Sequence, residues 1–149
     1  MAMVVSAMRD EFIPTFGLGE PNDAYAKFFV GQSYLNPLSS NDVVMANVTF
    51  EPGCRNNWHI HHGGYQILVC TDGQGWYQEW GGVAQKLTPG AVVVIPPDVK
   101  HWHGAADDSW FSHIAVTAAG IPIETEWLEP VDEKAYKALW ATFAGLERY

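Results

Sequence analysis

The feature that most constrains this chain is its punctuation. Short apolar runs alternate with turn residues every ~8–12 positions. The runs are Lys27–Val30, Val43–Glu51, Asn57–His61, Tyr65–Cys70, Gly75–Trp80, Val83–Leu87, Ala91–Ile95, His101–His103 and Trp110–Thr117. The breakers between them are Asn36-Pro37, Pro52-Gly53, Gly63-Gly64, Asp72-Gly73, Gly81-Gly82, Pro89-Gly90 and Pro96-Pro97. Runs this short are strand-sized, so the pattern predicts an all-β sandwich or barrel. Asp72-Gly73 and Gly81-Gly82 read as hairpin turns. The first ~25 residues hold Pro14, Gly17, Gly19 and Pro21 and read as an irregular arm.

The rhythm changes once. From Asp132 to Tyr149 the apolar residues Tyr136, Leu139, Trp140, Phe143 and Leu146 recur at helical spacing. Asp132 is placed as an N-cap just after Pro130. This predicts one α-helix over about residues 132–147, lying across the outside of a β-body of about residues 25–120. No internal linker or repeat divides the chain, so residues 1–149 read as one domain.

A chain of 149 residues buries roughly 68–70% of its unfolded surface, enough for a real core. With 48% apolar and 17% charged residues it is not intrinsically disordered. A formal charge of −9 repels phosphate backbones, so nucleic acid is not an expected partner. The longest strongly apolar run, Ala91–Ile95, is too short to cross a bilayer, and Met1–Phe12 does not read as a signal peptide. Cys54 and Cys70 form neither a CxxC pair nor a disulfide framework and read as small buried side chains. A cytoplasmic location is the resulting expectation.

The histidines carry the chemistry. His59 and His61 are two apart on one predicted strand, as are His101 and His103, so each pair shares a face. His113 shares its face with Phe111, Ala115 and Thr117. Trp58, Ile60 and Trp102 occupy the reverse face. A sheet with Trp outward and His inward needs a cover outside, either the terminal helix or a second subunit. Inside it needs something to satisfy the imidazoles, since an unpaired buried polar group costs roughly 1–3 kcal/mol. A divalent metal satisfies several at once. His62 opens a Gly-Gly turn and reads as exposed.

These residues resemble the two motifs of the cupin superfamily. The first runs Gly53, five residues, His59-Ile60-His61, four residues, Gln66, six residues, Gly73. The second runs Gly90, five residues, Pro96, with Asp98 in place of a Gly, then His101, with Ala105 in place of an Asn. Asp tolerates left-handed backbone, so the first replacement is mild. The resemblance implies a jelly-roll β-barrel with one C-terminal α-helix, holding one divalent metal ion on His59, His61, Gln66 and His101. The stretches Thr49–Gly53, Gly75-Trp76, Lys100–Ala105 and Trp127–Val131 resemble a narrower group of small bacterial cupins. That group includes the manganese-dependent cupin hydroxynitrile lyases and carboxymuconolactone-decarboxylase-associated cupins. The resemblance places Ala46, Val48, His113 and Thr117 at the pocket. The chain departs from the lyases by one extra residue between His61 and Gln66, and by Thr117 where they carry Gln.

Three His and one Gln are neutral, so a bound divalent cation keeps its full charge, which suits Lewis-acid work and anion binding. This set suits Mn²⁺, the ion of the resembled lyases, or Fe²⁺, Ni²⁺ or Zn²⁺. His103 and His113, inward and not needed as ligands, are the candidates for proton transfer. Phe111, with Phe50, Tyr77 and Trp110, is a candidate for the apolar wall. The leading expectation is lyase- or isomerase-type chemistry on a small oxygenated molecule. The alternatives are a non-catalytic module for a small carboxylate or sugar, and a dioxygenase. The outward Trp58 and Trp102 and the N-terminal arm add the expectation of a homodimer.

Overall fold

The computed structural model describes residues 12–118 and 123–139. Within them the strands are β1 (Glu20–Pro21), β2 (Phe29–Val30), β3 (Ser33–Ser40), β4 (Val43–Phe50), β5 (Arg55–Asn56), β6 (His59–His62), β7 (Gln66–Gly73), β8 (Gly75–Glu79), β9 (Gln85–Leu87), β10 (Val92–Ile95), β11 (His101–Ala105), β12 (Phe111–Ala118) and β13 (Glu124–Trp127). One sheet has six strands in the order β1-β3-β4-β12-β7-β10. The other has seven: β13-β6-β11-β5-β2 in a row, with β8 joining on β11 and β9 on β8. Neighbours pair antiparallel throughout. This is the jelly roll: two sheets facing each other, each supplying alternate residues to one interior.

Phe50, Leu68, Cys70, Leu87, Ile95 and Phe111 fill one end of that interior. Both cysteines are free and buried there, as their isolation in the sequence predicts. A second apolar cluster lies on the outer face of the seven-stranded sheet. There Trp58, Trp76 and Trp102 pack under Leu128, Val131, Tyr136 and Leu139. The last three belong to the C-terminal segment, whose helix α1 spans 133–139; its continuation to the expected end lies outside the described residues. Asp132 caps it, its Oδ2 accepting the Ala135 N–H at 2.9 Å. Trp102 is fully buried and donates its indole N–H to Gln78 Oε1 at 2.9 Å. The chain's own C-terminal segment therefore covers the tryptophan face, and these two residues call for no second subunit.

Four local expectations change. Asp72-Gly73 is not a hairpin turn: β7 and β8 belong to different sheets. Gly73 (φ +71°) instead lets the chain pass close under Trp110, where a Cβ would sit 1.8 Å from the Trp110 carbonyl oxygen. Lys27–Val30 opens in a 3₁₀ turn, Asp23–Phe28, and only Phe29–Val30 pair as strand. Asn36-Pro37 does not break the chain but lies inside β3, at an irregularity between Pro37 and Ser39. The short β1 reaches only as far as Leu35, so no ladder bond is lost at Pro37 on that side. Finally, the sheet continues past residue 120, because β13 pairs with β6. No helix among the described residues is long and apolar enough to cross a membrane.

Candidate metal centre

β6 and β11 are antiparallel neighbours with His59 opposite His101. The two His-x-His pairs therefore project together into the interior. The rings of His59 and His101 are 4.2 Å apart, His59 and His61 4.9 Å, and His61 and His101 5.2 Å. One nitrogen from each of the three lies within 4.8 Å of the other two.

The opposite nitrogens are anchored. His59 Nδ1 lies 2.8 Å from the Asn57 carbonyl oxygen, and His101 Nδ1 2.9 Å from that of Val99. His61 Nδ1 lies 3.2 Å from Thr125 Oγ1. An Nδ1–H donated to a backbone carbonyl leaves Nε2 as a lone-pair donor, which is how metal-binding imidazoles are oriented. His101 Nε2 is buried with no hydrogen-bond partner in the chain. Gln66, at the start of β7, places Oε1 3.0 Å from His61 Nε2. Burial depresses the basicity of all three rings: His101 to about 4, His59 well below its usual range with His101 adding to the effect, and His61 less far. Neutral rings with converging nitrogens, that of His101 orphaned and that of His61 beside the Gln66 amide oxygen, fit a divalent cation.

His103 and His113 form a second pair, their rings 4.9 Å apart. His113 stands on β12 between Val48 and Cys70 of the flanking strands. Phe50 and Phe111 pack against it at 5.7 and 5.6 Å. Neither of its ring nitrogens has a hydrogen-bond partner, and burial holds its pKa down to about 4. His103 is pushed well below its usual range by burial and then by its neighbour His113. Asn56 accepts the His103 backbone N–H at 3.0 Å and lays Nδ2 3.3–3.4 Å from the ring nitrogens.

Of these buried histidines, all but His101 border one cavity of about 200 Å³. His59, His61, Gln66, His103 and His113 supply its polar wall, while Phe29, Leu35, Val48, Phe50 and Trp127 supply its apolar wall. Among the described residues, no Asp, Glu, Lys or Arg lines it. Of the pocket candidates, Val48 lines the cavity. Phe111 is fully buried behind Phe50 and His113. Ala46 pairs with Ala115, and Thr117 with Gln66, on the same two strands beyond the lining. Sequence reasoning missed Asn56, Thr125, Phe29 and Trp127. Trp127 stacks on Phe28 at 4.6 Å and lies 4.8 Å from His59. The one signal that could have found it was the resemblance of Trp127–Val131 to the narrower group.

His62 differs from the rest. It is half-exposed, with Nδ1 2.9 Å from Asp98 Oδ1 and Nε2 2.8 Å from Glu126 Oε1. The two hydrogen bonds to these carboxylates, Glu126 foremost, raise its pKa.

A family model for the cupin domain matches residues 46–116, a span that includes all four candidate ligands and both further buried histidines. An (R)-mandelonitrile lyase from Granulicella tundricola is 39% identical over 116 residues, which cover 75% of this chain and 88% of the relative. This chain belongs to the cupin superfamily. A cupin-like protein from Thermotoga maritima superposes with a TM-score of 0.75 at 38% identity, over 84% of this cupin and 96% of that chain. A cupin 2 conserved barrel protein from Rhodopseudomonas palustris shares the fold alone, with a TM-score of 0.62 at 16% identity over 72% of this cupin and 74% of that chain. The fold is the one the resemblance implies, and His59, His61 and His101 of this cupin come together in a group that could hold a metal ion.

Proposed function

We propose that this cupin is a metal-dependent lyase that cleaves a small neutral cyanohydrin to an aldehyde and hydrogen cyanide, and runs the reverse addition. The observation that carries this reading is the site: a cavity with one apolar wall, bordered by His59, His61 and Gln66, with no charged side chain in its described lining, and with His101 converging on the same two histidines. The (R)-mandelonitrile lyase at 39% identity supports it. His59, His61, His101 and Gln66 hold the ion, which we take to be Mn²⁺ by resemblance to the manganese-dependent lyases. When bound, such a cation supplies Lewis-acid stabilisation of negative charge.

The chain's own residues do the rest. Phe29, Val48 and Trp127 take up the apolar part of the substrate and exclude water from the reacting carbon. His113, kept neutral by burial, takes the hydroxyl proton on a ring nitrogen. The oxygen electrons form the carbonyl as the carbon–carbon pair leaves with cyanide. The imidazolium then returns the proton to cyanide, so that atoms and charge balance. Its buried, unpartnered nitrogens favour His113 over His103, whose ring is met by Asn56.

The test is cleavage and synthesis of mandelonitrile by Mn²⁺-loaded protein. Turnover that requires metal, is lost in His59→Ala and is stereoselective is the expected result. Full turnover in metal-stripped protein overturns the reading.

A further inference from the structure

Two departures of this chain, one from the resembled lyases and one from the cupin motif, meet in space. The first is the extra residue between His61 and Gln66, in the segment that His62 opens. The other is Asp98, at the place of the motif glycine. Asp98 keeps the glycine's backbone geometry, with φ +67°, the one non-glycine residue at positive φ among the described residues. An L-residue holds that conformation at a cost, so its side chain has to give something in return.

Its contacts show what. The Asp98 backbone N–H donates to the His61 carbonyl at 2.9 Å. Its carboxylate meets His62 Nδ1, and the other side of that ring meets Glu126 on β13. β13 pairs with β6 so that Thr125 lies opposite His61, and Thr125 is the residue whose hydroxyl anchors His61 Nδ1. On the other side, Val99, next to Asp98, anchors His101 Nδ1. One imidazole thus ties together the strand that carries His61, the loop that anchors His101 and the strand that anchors His61.

We infer that Asp98, His62 and Glu126 form a positioning clasp that keeps the anchors of His61 and His101 in register and thereby slows escape of the metal. The inference rests on the metal-centre reading above. Exposed ion pairs often contribute little. This one differs because both nitrogens of one ring are engaged and each carboxylate lies within one residue of a ligand anchor. The three are positioning residues and touch no substrate.

The test uses Co²⁺ as the probe. The full-length protein is loaded, challenged with excess EDTA, and release is followed by loss of the visible absorption. In His62→Gln and Glu126→Gln, release speeds up about three- to tenfold, below the 10–100-fold typical of groups bonded directly to a ligand. Asp98→Gly relieves the backbone but removes the carboxylate, so it also releases faster while its metal-free thermal midpoint does not fall. Glu133→Gln, which removes the remote Lys137–Glu133 pair on α1, releases at the wild-type rate. Wild-type release in both His62→Gln and Glu126→Gln overturns the clasp, as does equal acceleration in Glu133→Gln. If wild type holds no Co²⁺, or His101→Ala holds it equally well, the metal-centre reading falls and the clasp with it.

Discussion

His59, His61 and His101 each have Nδ1 held by an oxygen, whereas His103 and His113, as deeply buried, have no such anchor. The two groups share parity, burial and chemistry. What separates them is the hydrogen bond on the far side of the ring. In His59 and His101 the anchor is the carbonyl two residues earlier in the chain, just before the strand begins, so one local device repeats at the starts of two neighbouring strands. It turns Nε2 of both rings toward the site, where His61 Nε2, met by Gln66 Oε1, joins them. Without it, His113 sits between two phenylalanines, with neither ring nitrogen in a well-formed hydrogen bond. In the function proposed above, the anchored group holds the cation and the unanchored pair supplies the proton exchange.

The sharpest way to break this comparison is to remove an anchored ring. His59→Ala and His101→Ala each lower Mn²⁺ affinity by more than about 100-fold, since even outer partners of a ligand are worth 10–100-fold. Elemental analysis after dialysis checks this, and retention of stoichiometric metal would erase the distinction.

Removing an unanchored ring behaves in the opposite way. His113→Leu keeps its metal but loses about 10²–10⁴-fold in cyanohydrin turnover, the range for a positioned acid–base group. Its thermal midpoint stays level or rises, because two unsatisfied buried nitrogens are replaced by apolar atoms. Unchanged turnover would move the proton-transfer role to His103.

Acid treats the two groups alike when no metal is bound. His101 and His113 titrate near 4 in the folded chain, against about 6.5 unfolded. Between those values the unfolded chain binds more protons than the folded one. Stability is therefore full above about pH 6.5 and falls toward pH 4, by up to about 1.4 kcal/mol per pH unit for each histidine. Urea unfolding across this window checks the slope. Saturating Mn²⁺ raises stability without changing the slope in this window, and it extends the His101 part below pH 4, because the bound cation keeps that ring unprotonated only in the folded chain.

The smallest effect comes from loosening an anchor. Thr125→Val removes the hydroxyl held by His61 Nδ1, and about tenfold in metal affinity goes with it, with recovery in Thr125→Ser. An equal loss in Thr125→Ser would mean that the hydroxyl is not what matters.

Much of this was legible in the sequence by itself. Alternation of side chains along a strand set His59, His61, His101 and His103 on one face and Trp58 and Trp102 on the other. The 3–4 spacing after Asp132 announced the helix that covers those tryptophans. These are period-based properties, and a strand carries its own period wherever it goes. The tertiary structure alone decided the rest. It placed β3 through Pro37, sent the chain across Gly73 into the second sheet, and brought β13 alongside β6. It also chose which buried histidines are fully anchored and walled the cavity with Trp127. Thr125 reaches His61 across 64 residues of chain, and no local pattern encodes a contact that exists only once two distant strands have found their register.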